Sequence, residues 1–333
     1  MGVKHGGILS TIGETPLVEL VKLSSGLDFR VYAKLEMANP GGSIKDRSAL
    51  SMLADRIASG ELVPGRSTVV ESSSGNLAVG IAQICRYHGI RFICVVDAKT
   101  SSHNIGMLHA YGAEVEMVNR PGADGEYLPS RIRRVQEIAD TLPGAYWPNQ
   151  YANLLNPRAH EQTMREIVSA LDAPVDYLFS AVSSFGTLRG CAQYVAAHSL
   201  STRLVAVDAV GSRIFDGQPA AKRLLPGHGA AIRPALFDRD AAHEVVHVTD
   251  GDCVRACRRL VATEAILAGA SSGAVVAALL HKAPEIPAGS RCVLILADRG
   301  DRYLQTVFSD DWVDRNLNLN LAGDKQLQGA LPN

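Results

Sequence analysis

The chain has 333 residues, 47% of them hydrophobic and 20% charged, and its 33 basic and 34 acidic side chains leave a formal charge of -1. One or two domains are expected at that length, because single cores stop growing near 250 to 300 residues. Near-neutrality gives no electrostatic reason to expect nucleic acid or an anionic membrane as partner, which leaves small molecules.

The opening MGVKHGGILS carries no apolar run of the secretory type, and no stretch reaches the length of a membrane span, so a cytoplasmic address is expected. The first distinctive stretch is NPGGSIKDR (39–47). Ser43 and Asp46 have the spacing of a capping box, and Leu50, Leu53, Ala54 and Ile57 follow at helical spacing. Lys45 therefore falls in the first turn of a helix. Unpaired amides and the macrodipole make the potential there positive, which favours a neutral amine.

Next come STVVE (67–71), a helix after Gly75, IRFICVVD (90–97), a helix near 103–111 and AEVEMV (113–118), a βαβ rhythm. Turn formers interrupt it from about 119 to 155, where a crossing between lobes is expected. Within that region SRIRRVQEIAD (130–140) predicts a helix with Ile132, Val135 and Ile138 on its apolar face, and Arg133 is placed to pair with Glu137. The rhythm resumes with VDYLFSAV (175–182), a helix from about 187, TRLVAVDAV (202–210), HEVVHVTD (243–250), a helix near 251–267 and SRCVLILAD (290–298). Continuous apolar strands between helices predict sheets covered on both faces, with ligands at the strand carboxyl ends. Two such blocks predict two lobes and a cleft.

Two strand-to-helix junctions, ESSSGNLAVGIA (71–82) and SAVSSFGTLRG (180–190), expose amides and hydroxyls suited to carboxylate or phosphate. In LAGASSGAVVAALL (267–280), Ser271 and Ser272 read locally as caps on a buried helix. His228 in PGHG fits either a turn or a position facing a ligand. No strand leads into G-x-G-x-x-G and the P-loop pattern is missing, so nucleotide binding lacks its fingerprint. The cysteines at 85, 94, 191, 253, 257 and 292 have no paired zinc spacing, so they read as core thiols and no metal is expected.

NPGGSIKDR, SSSGNLA, SSFGT, AGASSGA and LADRGDRYL, in that order over nearly the whole chain, resemble the cysteine synthase family of fold-type II pyridoxal-phosphate enzymes. The resemblance implies an α/β fold of two open twisted sheets flanked by helices, with the active site in the cleft between the lobes. It implies a smaller lobe at 37–146, a larger one at 1–36 plus 147–312, and a homodimer; residues 313–333, poor in periodicity, are expected to be a disordered tail. It implies that Lys45 forms the Schiff base with pyridoxal 5'-phosphate, and that Asn76 bonds the cofactor's phenolic oxygen. Ser73, Ser74 and Gln150 would take the substrate carboxylate. Ser183, Ser184, Gly186 and Thr187 would hold the cofactor phosphate, and Ser271 would meet the pyridine nitrogen. A hydroxyl there makes the ring a weaker electron sink than a carboxylate would, which favours loss of a β-leaving group.

The sequence departs from ordinary members at Leu77 and Ala78 in the carboxylate loop and at Phe185 in the phosphate loop. With IFDGQPAAKRLLPGHG (214–229), these departures are similar to the branch that joins L-glutamate to C3 of O-phospho-L-serine through an aminoacrylate. That branch makes N-(2-amino-2-carboxyethyl)-L-glutamate for the 2,3-diaminopropionate of siderophores. A phosphate leaving group and a dicarboxylic nucleophile call for additional donors. Arg131, Tyr151 and Ser184 are the positions nominated. The alternatives are a cysteine synthase that uses O-acetylserine or O-phosphoserine with sulfide, and a catalytically retired paralogue with a binding role.

Overall fold

The computed structural model describes residues 6–122, 125, 127–216 and 221–319. In chain order the elements begin with β1 (Leu17–Glu19), β2 (Arg30–Leu35), α1 (Lys45–Ala58), β3 (Thr68–Ser72) and α2 (Asn76–His88). They continue with β4 (Arg91–Asp97), α3 (Ser102–Ala110), β5 (Glu114–Val118), α4 (Leu128–Thr141), β6 (Ala145–Tyr146) and α5 (Leu155–Ala170). The remainder comprises β7 (Tyr177–Ala181), α6 (Gly186–Ala197), β8 (Arg203–Ala209), β9 (Glu244–Val248), α7 (Asp250–Glu264), α8 (Ala270–Lys282), β10 (Arg291–Leu296) and α9 (Asp310–Leu317). The chain divides into two compact units, Met1–Gly13 with Asn39–Ala159 and Glu14–Ala38 with His160–Asn333.

The first unit is built on a parallel sheet in the order β5-β4-β3-β6. All five residues of β3 are buried, as expected of a strand covered on both faces. Val69, Cys94 and Val96 pack with Met52 and Leu53 of α1 and Ile81 and Ile84 of α2. On the opposite face Val70, Ile93 and Val95 pack with Val135 of α4. The alternation of Val69 and Val70 between these two clusters follows the period of two along a strand.

The second unit has a six-stranded sheet in the order β1-β2-β10-β7-β8-β9, parallel except for β1 against β2. Its core joins Phe179, Val205 and Val207 of the sheet to α7 and to α8, of which Ala270 through Leu279 are all buried. A helix whose side chains are small or apolar from Ala270 through Leu279 belongs in an interior.

Several elements differ from the sequence expectation. The boundary expected at 146/147 falls inside α5, because the intervening loop is tied to α1: Ser51 Oγ donates to the Leu155 carbonyl at 2.8 Å and Tyr146 Oη to the Met52 carbonyl at 3.2 Å. At the start of the chain Leu9 is buried in the same core as α1, so Met1–Gly13 goes with the first unit. The disordered tail expected from residue 313 is helical through Leu317: Ser309 Oγ caps the Trp312 amide at 3.3 Å, and Val313 is buried in the core. The rest of that expected tail, from residue 320, lies outside the described residues. Glu137 pairs with Arg134 at 3.1 Å, three residues away, rather than with Arg133. The capping box at Ser43 is also modified. Ser43 Oγ accepts from the Lys45 amide at 3.2 Å, whereas the Asp46 carboxylate reaches back to the Gly41 amide at 2.6 Å.

A buried ion pair ties β2 to α5 within the second unit. Lys34 Nζ is 2.7 Å from Glu166 Oε2 and donates to the Thr15 carbonyl at 2.6 Å, with the lysine 1% exposed. Lys34→Met keeps the volume and breaks this buried pair, which costs about 3 kcal/mol. Urea unfolding should show a midpoint lowered accordingly.

Candidate active site

In the first unit the β3-to-α2 junction and the start of α1 lie side by side. A methyl group built on Gly80 would stand 3.2 Å from Ala49 Cβ and 3.3 Å from Asp46 Cα, so glycine lets the N-terminal parts of the two helices pack closely without a shift of their neighbours. Lys45 is the first residue of α1 and half-buried, as its spacing predicts. Asn76 is the first residue of α2, after Gly75 at the N-cap with no side-chain cap bond. Ser73 is buried, and its Oγ accepts from the amides of Gly75 at 3.4 Å and Ala78 at 3.3 Å. The Ser74 carbonyl is held by Asn104 Nδ2 at 2.9 Å.

The third strand of this constellation is the loop after β6. Gln150 is buried; its carbonyl accepts from Asn156 Nδ2 at 2.8 Å, and Asn156 Oδ1 accepts from Ser48 Oγ at 2.8 Å, one turn beyond Lys45. Gln150 is thereby brought to α1, and Tyr151 follows it half-buried. Arg131 of α4 is 9% exposed, with Nε 3.2 Å from Asp97 Oδ2, while its buried Nη1 has no hydrogen-bond partner among the described residues. A buried guanidinium with an unspent donor suits an anion.

Glu71, next to the last residue of β3, was not singled out from the sequence. It is 1% exposed; Oε1 accepts from the Ser72 amide at 2.8 Å and from Trp147 Nε1 at 3.0 Å. Burial pushes its carboxyl up to about 7, against the pull of Trp147 and the Ser72, Gln150 and Asn149 amides. The available signal was an acid closing an apolar strand directly before the serine turn.

In the second unit the β7-to-α6 turn carries Ser183, Ser184, Phe185, Gly186 and Thr187. Ser184 and Thr187 are buried, and Thr187 Oγ1 lies 3.4 Å from His160 Nε2. Phe185 occupies the N-cap of α6 in the left-handed region, φ 71°, and provides no side-chain cap. Its ring centroid is 5.0 Å from that of Phe237 and 5.9 Å from that of Phe215, so the aromatic cluster holds a conformation that glycine would adopt freely.

Ser271 and Ser272 do not cap α8: Gly269 is the N-cap, and both serines lie inside the first turn. Ser272 Oγ accepts from the Ala297 amide at 3.0 Å. Ser271 is 2% exposed beside Gly227, where an added Cβ would come within 3.3 Å of its Oγ, and the Gly229 amide donates to the Val182 carbonyl at 2.7 Å. The segment between these glycines therefore links Ser271 to the residue that precedes Ser183. His228 within it is buried, 3.5 Å from Cys253 Sγ, and burial lowers its pKa to about 4.

These residues fit a phosphorylated pyridine aldehyde. The helices α3, α7 and α9 are capped by Ser101, Thr249 and Ser309, whereas α6 begins uncapped at a turn of small hydroxyl residues, which leaves its first amides for a phosphate. Ser271 is a neutral hydroxyl, the donor that an unprotonated ring nitrogen accepts.

Fold and donor set together define a pyridoxal-phosphate enzyme. Residues 8–298 match the family described as pyridoxal-phosphate dependent enzyme, and the chain belongs to that family. It is 46% identical over 309 residues to N-(2-amino-2-carboxyethyl)-L-glutamate synthase of Ralstonia nicotianae, spanning 92% of this chain and 91% of the relative. The enzyme of the same name from Cupriavidus metallidurans is 46% identical over 312 residues, with the same coverage of 92% and 91%. Among solved structures, O-ureido-L-serine synthase matches with a TM-score of 0.84 and 32% identity over 92% of this chain and 98% of that one. An O-acetylserine dependent cystathionine beta-synthase from Helicobacter pylori matches with a TM-score of 0.83 and 29% identity, again over 92% and 98%. The two sheets flanked by helices are thus those of a fold-type II enzyme.

Two measurements follow. Phe185→Gly relieves about 1 kcal/mol of left-handed strain but removes a ring whose loss costs about 3–5 kcal/mol, so chemical denaturation should show a net loss of about 2–4 kcal/mol. For His228 the folded pKa is below the ordinary value of 6.5, so the unfolded chain binds the proton first as pH falls. Its contribution is fully present above about 6.5 and declines toward pH 4, by about 3 kcal/mol in total. His228→Gln should flatten that part of the stability profile between pH 7 and 4.5.

Proposed function

We propose that this enzyme replaces the phosphate of O-phospho-L-serine with L-glutamate, giving N-(2-amino-2-carboxyethyl)-L-glutamate and inorganic phosphate. The observation that carries the reading is 46% identity, sustained over 92% of the chain, to two synthases that bear that product's name. The C3–O bond of phosphoserine breaks with its electron pair leaving on phosphate, and the glutamate nitrogen forms a bond to C3 and loses a proton. When bound, pyridoxal phosphate supplies the electron sink that makes loss of the α-proton and of the β-leaving group accessible.

The residues divide the remaining work. Lys45 holds the cofactor through Nζ and, once displaced, removes and returns the proton at Cα; its place at a positive helix start favours the neutral amine this needs. Asn76 bonds the phenolic oxygen. Ser183, Ser184, Gly186 and Thr187 present hydroxyls and the α6 amides to the cofactor phosphate, and Ser271 donates to the ring nitrogen. Ser73, Ser74 and Gln150 take the substrate carboxylate. Arg131, through its unpartnered Nη1, and Tyr151 and Ser184 attend to the additional anionic groups of phosphoserine and glutamate.

A homodimer and a cytoplasmic address complete the reading. All six cysteines are buried thiols outside any disulfide, in keeping with a reducing compartment, and no helix among the described residues is long and apolar enough to cross a membrane. The rival is sulfide as nucleophile. Phosphate release from O-phospho-L-serine should depend on L-glutamate, and mass spectrometry should show one product equal in mass to both substrates less phosphoric acid. Rapid cysteine formation with sulfide and no glutamate adduct would overturn the assignment.

A further inference from the structure

The loop that carries Gln150 has little secondary structure of its own to define it. β6 is two residues long, Asn149 sits in the left-handed region at φ 50°, and α5 does not begin until Leu155. Something outside the loop must fix where the Gln150 side chain starts. On one side the Gln150 carbonyl is tied through Asn156 to Ser48 of α1. On the other side stands Glu71 at the carboxyl end of β3. Its Oε1 holds Trp147, and the amides of Asn149 and Gln150 face the same carboxyl, although Oε2 completes no hydrogen bond of full geometry.

The position of Glu71 in the strand makes this arrangement rigid. Its backbone is in register with Cys94 of β4, whose Sγ donates to the Ser73 carbonyl at 3.1 Å, so the strand that places Glu71 also places the serine turn. The Ser72 amide donates to Oε1, which orients the carboxyl toward the Trp147 side. In its ionised form the carboxyl only accepts, which suits a cluster of N–H groups, whereas an amide would set its own NH2 against them. Burying it without any such role carries a large desolvation penalty.

We infer that Glu71 is a positioning residue: it anchors the Trp147–Gln150 segment to the end of β3, and so sets Gln150 at a fixed distance from the serine turn for the substrate carboxylate. The inference rests on the reading of Gln150 as a carboxylate ligand. In this role Glu71 acts through Trp147 and the neighbouring amides rather than on substrate or cofactor. Its effect therefore belongs to binding of the amino-acid substrate rather than to the chemical step.

The test compares Glu71→Gln, Gln150→Ala and the double variant as holoenzymes. Glu71→Gln should raise KM for O-phospho-L-serine about tenfold with kcat within about threefold and cofactor absorbance unchanged, a split that general destabilisation does not produce. In the Gln150→Ala background the same change should add no more than about twofold, because the two residues act as one unit. Amide hydrogen exchange gives a readout independent of turnover: the Asn149 and Gln150 amides should exchange faster in Glu71→Gln while those of α1 keep their protection. If Glu71→Gln does not fold, Trp147→Phe, which removes one donor to the same carboxyl, should raise that KM about twofold to threefold. Full additivity of the two substitutions, or unchanged KM and exchange, overturns the inference about Glu71. An unchanged KM in Gln150→Ala alone overturns instead the carboxylate reading on which it rests.

Discussion

Backbone N–H groups left without partners at the starts of helices are the constraint on which the functional architecture depends. A parallel strand followed by a helix ends in a turn whose amides point away from the sheet. Side chains satisfy such ends at α3, α7 and α9 through Ser101, Thr249 and Ser309, whereas α1, α2, α4 and α8 begin without a side-chain cap. At α6 no side chain does so either. A helix start that is left uncapped among small hydroxyl residues stays in its folded form at a cost that a bound anion offsets. The chain belongs to a pyridoxal-phosphate dependent family, whose cofactor carries a phosphate of the kind such a helix start would take.

The remainder of each unit holds these ends in place. In the first unit Gly80 lets the beginnings of α1 and α2 touch, and the Ser48–Asn156–Gln150 relay extends the contact to a loop that would otherwise be poorly defined. In the second, the Gly229 amide bonds the Val182 carbonyl and Gly227 lies against Ser271, so one short segment braces both the β7-to-α6 turn and the α8 start. Neither arrangement depends on an ion pair at the surface. Both depend on backbone groups and small residues packed against buried strands, which are the least compliant parts of a protein.

The choice of neutral polar groups follows from the chemistry. In the role proposed for it, Ser271 would donate a hydrogen bond without fixing a charge on the ring, which matches β-elimination and replacement rather than reactions that accumulate a long-lived carbanion. Phe185 shows how a glycine-type conformation is kept without glycine. Its left-handed backbone is held by a cluster of three phenylalanines, so the turn retains its amide geometry while its flank becomes aromatic.

Much of the fold was legible because it rests on local pattern. The buried strands β3, β4, β7, β8 and β10 are each built around a short apolar run, and Lys45, Asn76 and Gly186 open helices close to where their spacing places them. What escaped the sequence is non-local. RVYAKL puts Lys34 in a strand where its side chain is 1% exposed, which makes sense only once Glu166, more than a hundred residues later, supplies its counter-charge. Arg134 takes Glu137 because Glu116 of a neighbouring strand already draws its guanidinium to that side. Glu71 reads as one more acid until the loop of Trp147 and Gln150 closes over it. The sequence by itself determined which turns end strands and start helices, since backbone conformation and hydrophobic period are properties of a few consecutive residues. Only the tertiary structure decided which buried polar groups face one another, because a charge or donor in an apolar interior is stable solely with a partner that the chain brings from far away.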